Sequence, residues 1–76
     1  MVVKVFGIKG CQECNDTLDY LDANEILYEY YDVDASVENY NLMNKFRPES
    51  HTTAPVIVIN GEFIGGYREL QCRKTT

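Results

Sequence analysis

Four consecutive β-branched residues, Val56-Ile57-Val58-Ile59, run directly into Asn60-Gly61 and return as Glu62-Phe63-Ile64. A short, unbroken apolar run of this kind fits a strand buried on both faces. Asn-Gly tolerates positive φ at both turn positions, which makes it the strongest short-range hairpin signal. The two strands are therefore expected to be antiparallel neighbours, the first of them inside a sheet covered on both sides. A chain of 76 residues can build such a sheet only as one domain, residues 1–76, with its other segments supplying more strands and the covering helices.

Those segments can be read in order. Val2-Val3-Lys4-Val5-Phe6 is apolar except for Lys4 and predicts a second central strand. Residues 7–10 form a loop bracketed by Gly7 and Gly10. A helix is predicted from about Cys11 to Ala23 or Asn24, with Cys11, Cys14, Leu18 and Leu21 on one face. Residues 26–33, rich in tyrosine with Glu29 and Asp32 interleaved, predict a more exposed edge strand. Strand, helix and strand within so short a span form a βαβ unit, so these strands should be parallel. Ser36 is a candidate N-cap for a second helix through Phe46, with Val37, Tyr40, Leu42, Met43 and Phe46 as its apolar side and Pro48 ending it. Gly65-Gly66 breaks the last strand, and residues 67–74 predict a short final helix. The resulting order, β-α-β-α-β-β-α, makes a four-stranded mixed sheet flanked by helices, with the first and third strands in the middle. That is an α/β, thioredoxin-like arrangement.

The chemistry-bearing feature is Cys11-Gln12-Glu13-Cys14 at the start of the first helix. A thiol attacks a disulfide as its thiolate, and the free amides and dipole of a helix N-terminus stabilise an anion there. Cys11 is accordingly the expected nucleophile. Cys14, one turn further in, is the expected buried partner that resolves a mixed disulfide on Cys11. Glu13 sets a negative charge beside the pair, and Lys9 opposes it. The net charge of −5 disfavours nucleic-acid phosphates and anionic membrane surfaces as partners. The opening residues are too short an apolar run for a leader and lack a small-residue cleavage site, so the expected location is the cytoplasm. Structural disulfides are rare there, and three cysteines are an odd number for a stapled scaffold. A zinc site would need four ligands, and the only other cysteine and histidine are Cys72 and His51. No metal is expected, and Cys72 reads as a bystander.

Three signatures stand in order along the chain: Cys11-Gln12-Glu13-Cys14, Thr53-Ala54-Pro55-Val56 and Ile64-Gly65-Gly66-Tyr67. With them the chain resembles the small glutaredoxins of bacteria and bacteriophages over nearly its whole length. The resemblance implies that Pro55 is a cis proline facing Cys11. It implies that the Ala54 backbone, with Thr53 beside it, pairs with the cysteinyl part of glutathione. It also implies that the Gly66 and Tyr67 amides hold the glutamyl carboxylate. Lys9 is the expected cation for the other carboxylate, although it stands one position nearer the first cysteine than the family's lysine; Arg47 and His51 are its alternatives. Arg68 occupies the region where relatives carry an acid for the glutathione amine, followed here by Glu69.

The resemblance thus implies a glutathione-dependent thiol–disulfide oxidoreductase. Glutathione is its reductant and co-substrate, and disulfide-containing proteins are its partners, with ribonucleotide reductase a client by analogy. A cytoplasmic monomer is expected, in the host cytoplasm if the chain is phage-encoded. Gln12-Glu13 and Arg68 also resemble the redoxins that are reduced by thioredoxin reductase and serve ribonucleotide reductase. An iron–sulfur or zinc-binding module is the alternative of another class.

Overall fold

A computed structural model describes residues 2–72. Its elements are β1 (Val3–Gly7), α1 (Gln12–Ala23), β2 (Glu29–Asp32), α2 (Val37–Phe46), β3 (Val56–Ile59), β4 (Glu62–Gly65) and α3 (Tyr67–Cys72). The expected end of the last helix at Lys74 lies outside the described residues. The sheet runs β2-β1-β3-β4. β1 pairs parallel with β2 and antiparallel with β3, and β3 pairs antiparallel with β4. The first and third strands are central, as their apolar runs require.

Alternation along these two strands splits the core between the faces of the sheet. Val3 and Val5 align with Ile59 and Ile57, and all four pack with Leu21 and Leu70 beneath α1 and α3. Phe6 aligns with Val56 and packs with Val58 and Met43 beneath α2. The Phe6 ring stacks on Tyr31 at 5.0 Å. Lys4 falls on this second face. Its ammonium lies 5.5 Å from the Tyr31 ring centroid and reaches the Glu29 carboxylate at 2.8 Å, which explains a lysine in a central strand.

The connections follow local chemistry. Asn60 and Gly61 take φ of 53° and 82°, the positive pair of a type I′ turn. Asn60 Oδ1 also accepts the Val2 N–H at 2.9 Å, tying the hairpin to the start of β1. α1 ends at Asn24, and Glu25 is left-handed at φ 56°. The Glu25 and Ile26 amides donate to the Asp22 and Leu21 carbonyls, the double bond of a Schellman ending. Ser36 caps α2 by accepting the Asn39 N–H at 3.3 Å.

Three expectations need correction. The edge strand is shorter than residues 26–33, because Ile26 still belongs to the helix ending and Leu27 is 89% exposed. Val37 and Tyr40 are exposed, and only Met43 of α2 is fully buried. This short helix meets the sheet through one narrow stripe. On α1, Thr17 is buried where Leu18 is only partly so; its hydroxyl donates to the Glu13 carbonyl at 2.8 Å, which satisfies it inside the core.

Candidate active site

Gly10 takes φ 73° and turns the chain out of β1 into α1. Cys11 becomes the N-cap, in extended conformation at φ −93° and ψ 110°. Its sulfur occupies the place of a capping oxygen and accepts the Cys14 N–H at 3.2 Å. Cys11 is half-buried, whereas Cys14 is 1% exposed, and both are free thiols. Burial pushes the Cys14 thiol up to about 12; the hydrogen bond with Cys11 and the negative charges of Cys11 and Glu13 act in the same direction, and the Ile8 amide opposes them. The two sulfurs are thus unequal: one is accessible and hydrogen-bonded as an acceptor, the other is held neutral.

The second signature shares a groove with Ile8 of the loop that leads to the first. The Ala54–Pro55 peptide is cis and Pro55 is buried. Ile8 of the cysteine loop, Tyr40, Met43 and Arg47 from α2 and its end, and Thr52, Thr53 and Ala54 line a depression of about 200 Å³. Arg47 is the cation in this wall; its guanidinium donates to Asn44 Oδ1 at 2.6 Å. His51 packs edge-on against Phe63 at 5.1 Å, and its Nε2 lies 3.4 Å from the Pro55 carbonyl oxygen.

The third signature joins from β4. A register shift at Ile57/Val58 sets Gly65 opposite Ile57. The backbone then passes so close to the proline loop that a Cβ on Gly66 would stand 3.5 Å from the Pro55 carbonyl oxygen. The Gly66 amide donates to Glu69 Oε1 at 2.8 Å, and that bond is the main cause of the lowered Glu69 carboxyl pKa. The amide expected to serve a ligand carboxylate therefore already holds a carboxylate of the chain itself. Tyr67 packs edge-on against Tyr20 of α1 at 6.3 Å.

Of the residues singled out by sequence, the fold gathers Thr53, Ala54, Pro55 and Gly66 around one end of the sheet, beside the cysteine loop. Lys9 and Arg68 are exposed, and neither forms an ion pair among the described residues. Lys9 does not line the groove, where Arg47 stands instead. Cys72 is exposed on α3. No group of three or more His, Cys, Asp or Glu is placed to hold a metal among the described residues. Sequence reasoning did not single out Tyr30 or the capping role of Glu69. Neither has a local signal, since each depends on where another element packs.

The family model described as Glutaredoxin matches residues 3–64. The chain belongs to the glutaredoxin family. Glutaredoxins are thiol–disulfide oxidoreductases, and this glutaredoxin is an enzyme of that class. Among solved structures it is similar to the dithiolic glutaredoxin 2-C-Grx1 from Trypanosoma brucei brucei, with 32% identity and a TM-score of 0.77 over 92% of this chain and 73% of that one. It has the fold of a buckwheat glutaredoxin solved as a glutathione complex, with 19% identity and a TM-score of 0.79 over 93% of this chain; it spans 66% of that protein's own length. It also has the fold of NrdH-redoxin from Escherichia coli, described as a glutaredoxin-like protein with a thioredoxin-like activity profile. There the identity is 17% and the TM-score 0.78, over 100% of this chain and 97% of that one. No curated protein sequence matches the chain.

Proposed function

We propose that this glutaredoxin reduces protein disulfides and glutathione mixed disulfides with Cys11 as nucleophile and Cys14 as resolving thiol, and that glutathione returns it to the dithiol state. The inequality of the two sulfurs carries this reading. Cys11 accepts a backbone N–H and is reachable from outside, while Cys14 is buried and pushed up to about 12. Cys11 forms the mixed disulfide, and Cys14 attacks it from one helical turn away. The Ala54 backbone offers the incoming peptide the strand-like hydrogen bonds that recognise a cysteinyl residue whatever its neighbours. Arg47 takes the role first given to Lys9, facing a substrate carboxylate in the groove beside Ile8. Disulfide-bearing proteins are the clients, ribonucleotide reductase among them by family analogy. The chain works as one domain, and as a monomer in a reducing cytoplasm, where two free thiols persist.

One observation favours a second electron source. The Gly66 amide is held by Glu69, so a glutathione carboxylate would have to displace an internal one. A protein reductant such as thioredoxin reductase, docking on the cysteine loop, meets no such competition. Turnover of a glutathione mixed disulfide with glutathione, beside insulin reduction with thioredoxin reductase, separates the two. Cys11→Ser should abolish both activities. Cys14→Ser should keep activity on the mixed disulfide and lose it on insulin. An active Cys11→Ser protein would overturn the assignment of roles, and activity with thioredoxin reductase alone would select the second source.

A further inference from the structure

Gly7, the last residue of β1, separates two groups from different elements. A Cβ built there would meet the Tyr30 hydroxyl of β2 at 2.8 Å and the Cys14 sulfur of α1 at 3.0 Å. The absence of a side chain at Gly7 therefore leaves a gap into which the phenol oxygen and the buried sulfur both project. Cys14 is 1% exposed and Tyr30 is 40% exposed, so a partly exposed phenol has its oxygen on the same gap as the covered thiol. The other groups facing Cys14 are Cys11 and Glu13 on its own helix and the Ile8 amide in the loop. Tyr30 also senses Asp32 and Asp34 on its own side. Tyr30 brings a hydroxyl, a neutral hydrogen-bond donor, to the same gap as the Cys14 sulfur.

We propose that the Tyr30 hydroxyl is the hydrogen-bond donor that stabilises the Cys14 thiolate during resolution of the mixed disulfide. The inference rests on the reading of Cys14 as resolving thiol. In that step Cys14 Sγ–H loses its proton and its sulfur attacks Cys11 Sγ. The Cys11–Cys14 bond forms, and the bond from Cys11 to the substrate sulfur breaks. The departing thiolate carries away the electron pair and takes up the proton, so no further reactant is needed. Two cysteine thiols are oxidised by two electrons, and the substrate disulfide is reduced by two. The difficulty lies in the transient charge on a buried sulfur, where an aligned donor is worth far more than in water. Burial, the main cause, raises the Tyr30 phenol, which keeps it protonated and able to donate.

The test uses the reduced full chain with the exposed third thiol removed by Cys72→Ser, as the parent for every variant, and 5,5′-dithiobis(2-nitrobenzoate), which then releases one coloured thiolate when Cys11 attacks and a second when Cys14 resolves. Stopped-flow absorbance separates the phases. In Tyr30→Phe the first phase should be unchanged and the second slowed about tenfold, the worth of one hydrogen bond to a charged group. The pH midpoint of the second phase should move upward. Tyr28→Phe, which alters a partly buried phenol just before β2 that packs against the Leu21 cluster, should leave both phases as in the parent protein. A parent-like second phase in Tyr30→Phe, equal slowing of both phases, or the same loss in Tyr28→Phe would each overturn the proposal. Cys14→Ser is the separate check on the underlying reading: a retained second phase there would mean that Cys14 does not resolve, whatever Tyr30 does.

Discussion

The buried thiol of Cys14 makes the stability of the reduced enzyme depend on alkaline pH. Its pKa rises from an ordinary 9.0 to about 12 on folding, chiefly through burial. The folded chain thus keeps a proton that the unfolded chain gives up. The stabilisation is complete below pH 9 and is lost as pH climbs from there toward the folded value, because in that window the unfolded state is the one favoured by ionisation. One pH unit above the unfolded pKa, at about pH 10, the loss amounts to about 1.4 kcal/mol. That is a large share of the roughly 4–11 kcal/mol typical of a domain this size. Tyr28 and Tyr30 are also raised and destabilise in the same direction, so the comparison is with Cys14→Ser, which keeps both tyrosines. Urea unfolding in the presence of a phosphine reductant, at pH 7 and pH 10, gives the two differences. The wild type should lose about 1.4 kcal/mol more than Cys14→Ser over this interval. Parallel pH profiles for the two proteins would refute the reasoning, since Cys14 would then ionise alike in folded and unfolded chains.

Three substitutions probe the backbone around the site. Gly65→Ala puts a Cβ 2.6 Å from Glu69 Cγ at a φ of 132°; it should cost about 1–3 kcal/mol in chemical denaturation and free the Gly66 amide from Glu69. Gly7→Ala forces the Tyr30 hydroxyl and the Cys14 sulfur apart and should lower the unfolding midpoint by an overpacking penalty of about 1–3 kcal/mol. Glu25→Gly relieves a left-handed non-glycine residue at the end of α1 and should raise stability by about 1 kcal/mol, read as a higher urea midpoint with an unchanged slope.

Much of the fold was legible because its signals are local. The run Val56–Ile59 and the Asn60-Gly61 turn imply a buried strand and its hairpin without reference to anything distant. Ser36, Pro48 and the step pattern of α1 likewise act within a few residues. The failures are equally physical. Val37 and Tyr40 have the spacing of a core face, but α2 touches the sheet along too narrow a stripe to cover them. Leu27 looked like strand because nothing in its sequence reports the Schellman ending that takes Ile26. Within the site, the cysteine pair, the proline segment and the double glycine were legible as motifs. That Arg47, and not Lys9, lines the groove was not, because Lys9 is closer to Cys11 in sequence while α2 ends beside the proline loop in space.

The amino-acid sequence by itself determined the order of elements, the two central strands and the pair of cysteines at a helix start. Each of these follows from spacing, propensity or backbone freedom within one segment. Tertiary structure alone decided the difference between the two sulfurs, the carboxylate already seated on the Gly66 amide, and the phenol and thiol that both approach Gly7. Those facts come from strand register and burial, which bring Gly7, Cys14 and Tyr30 together from three elements. Desolvation and hydrogen-bond geometry depend on which atoms arrive, and no stretch of the chain holds that information on its own.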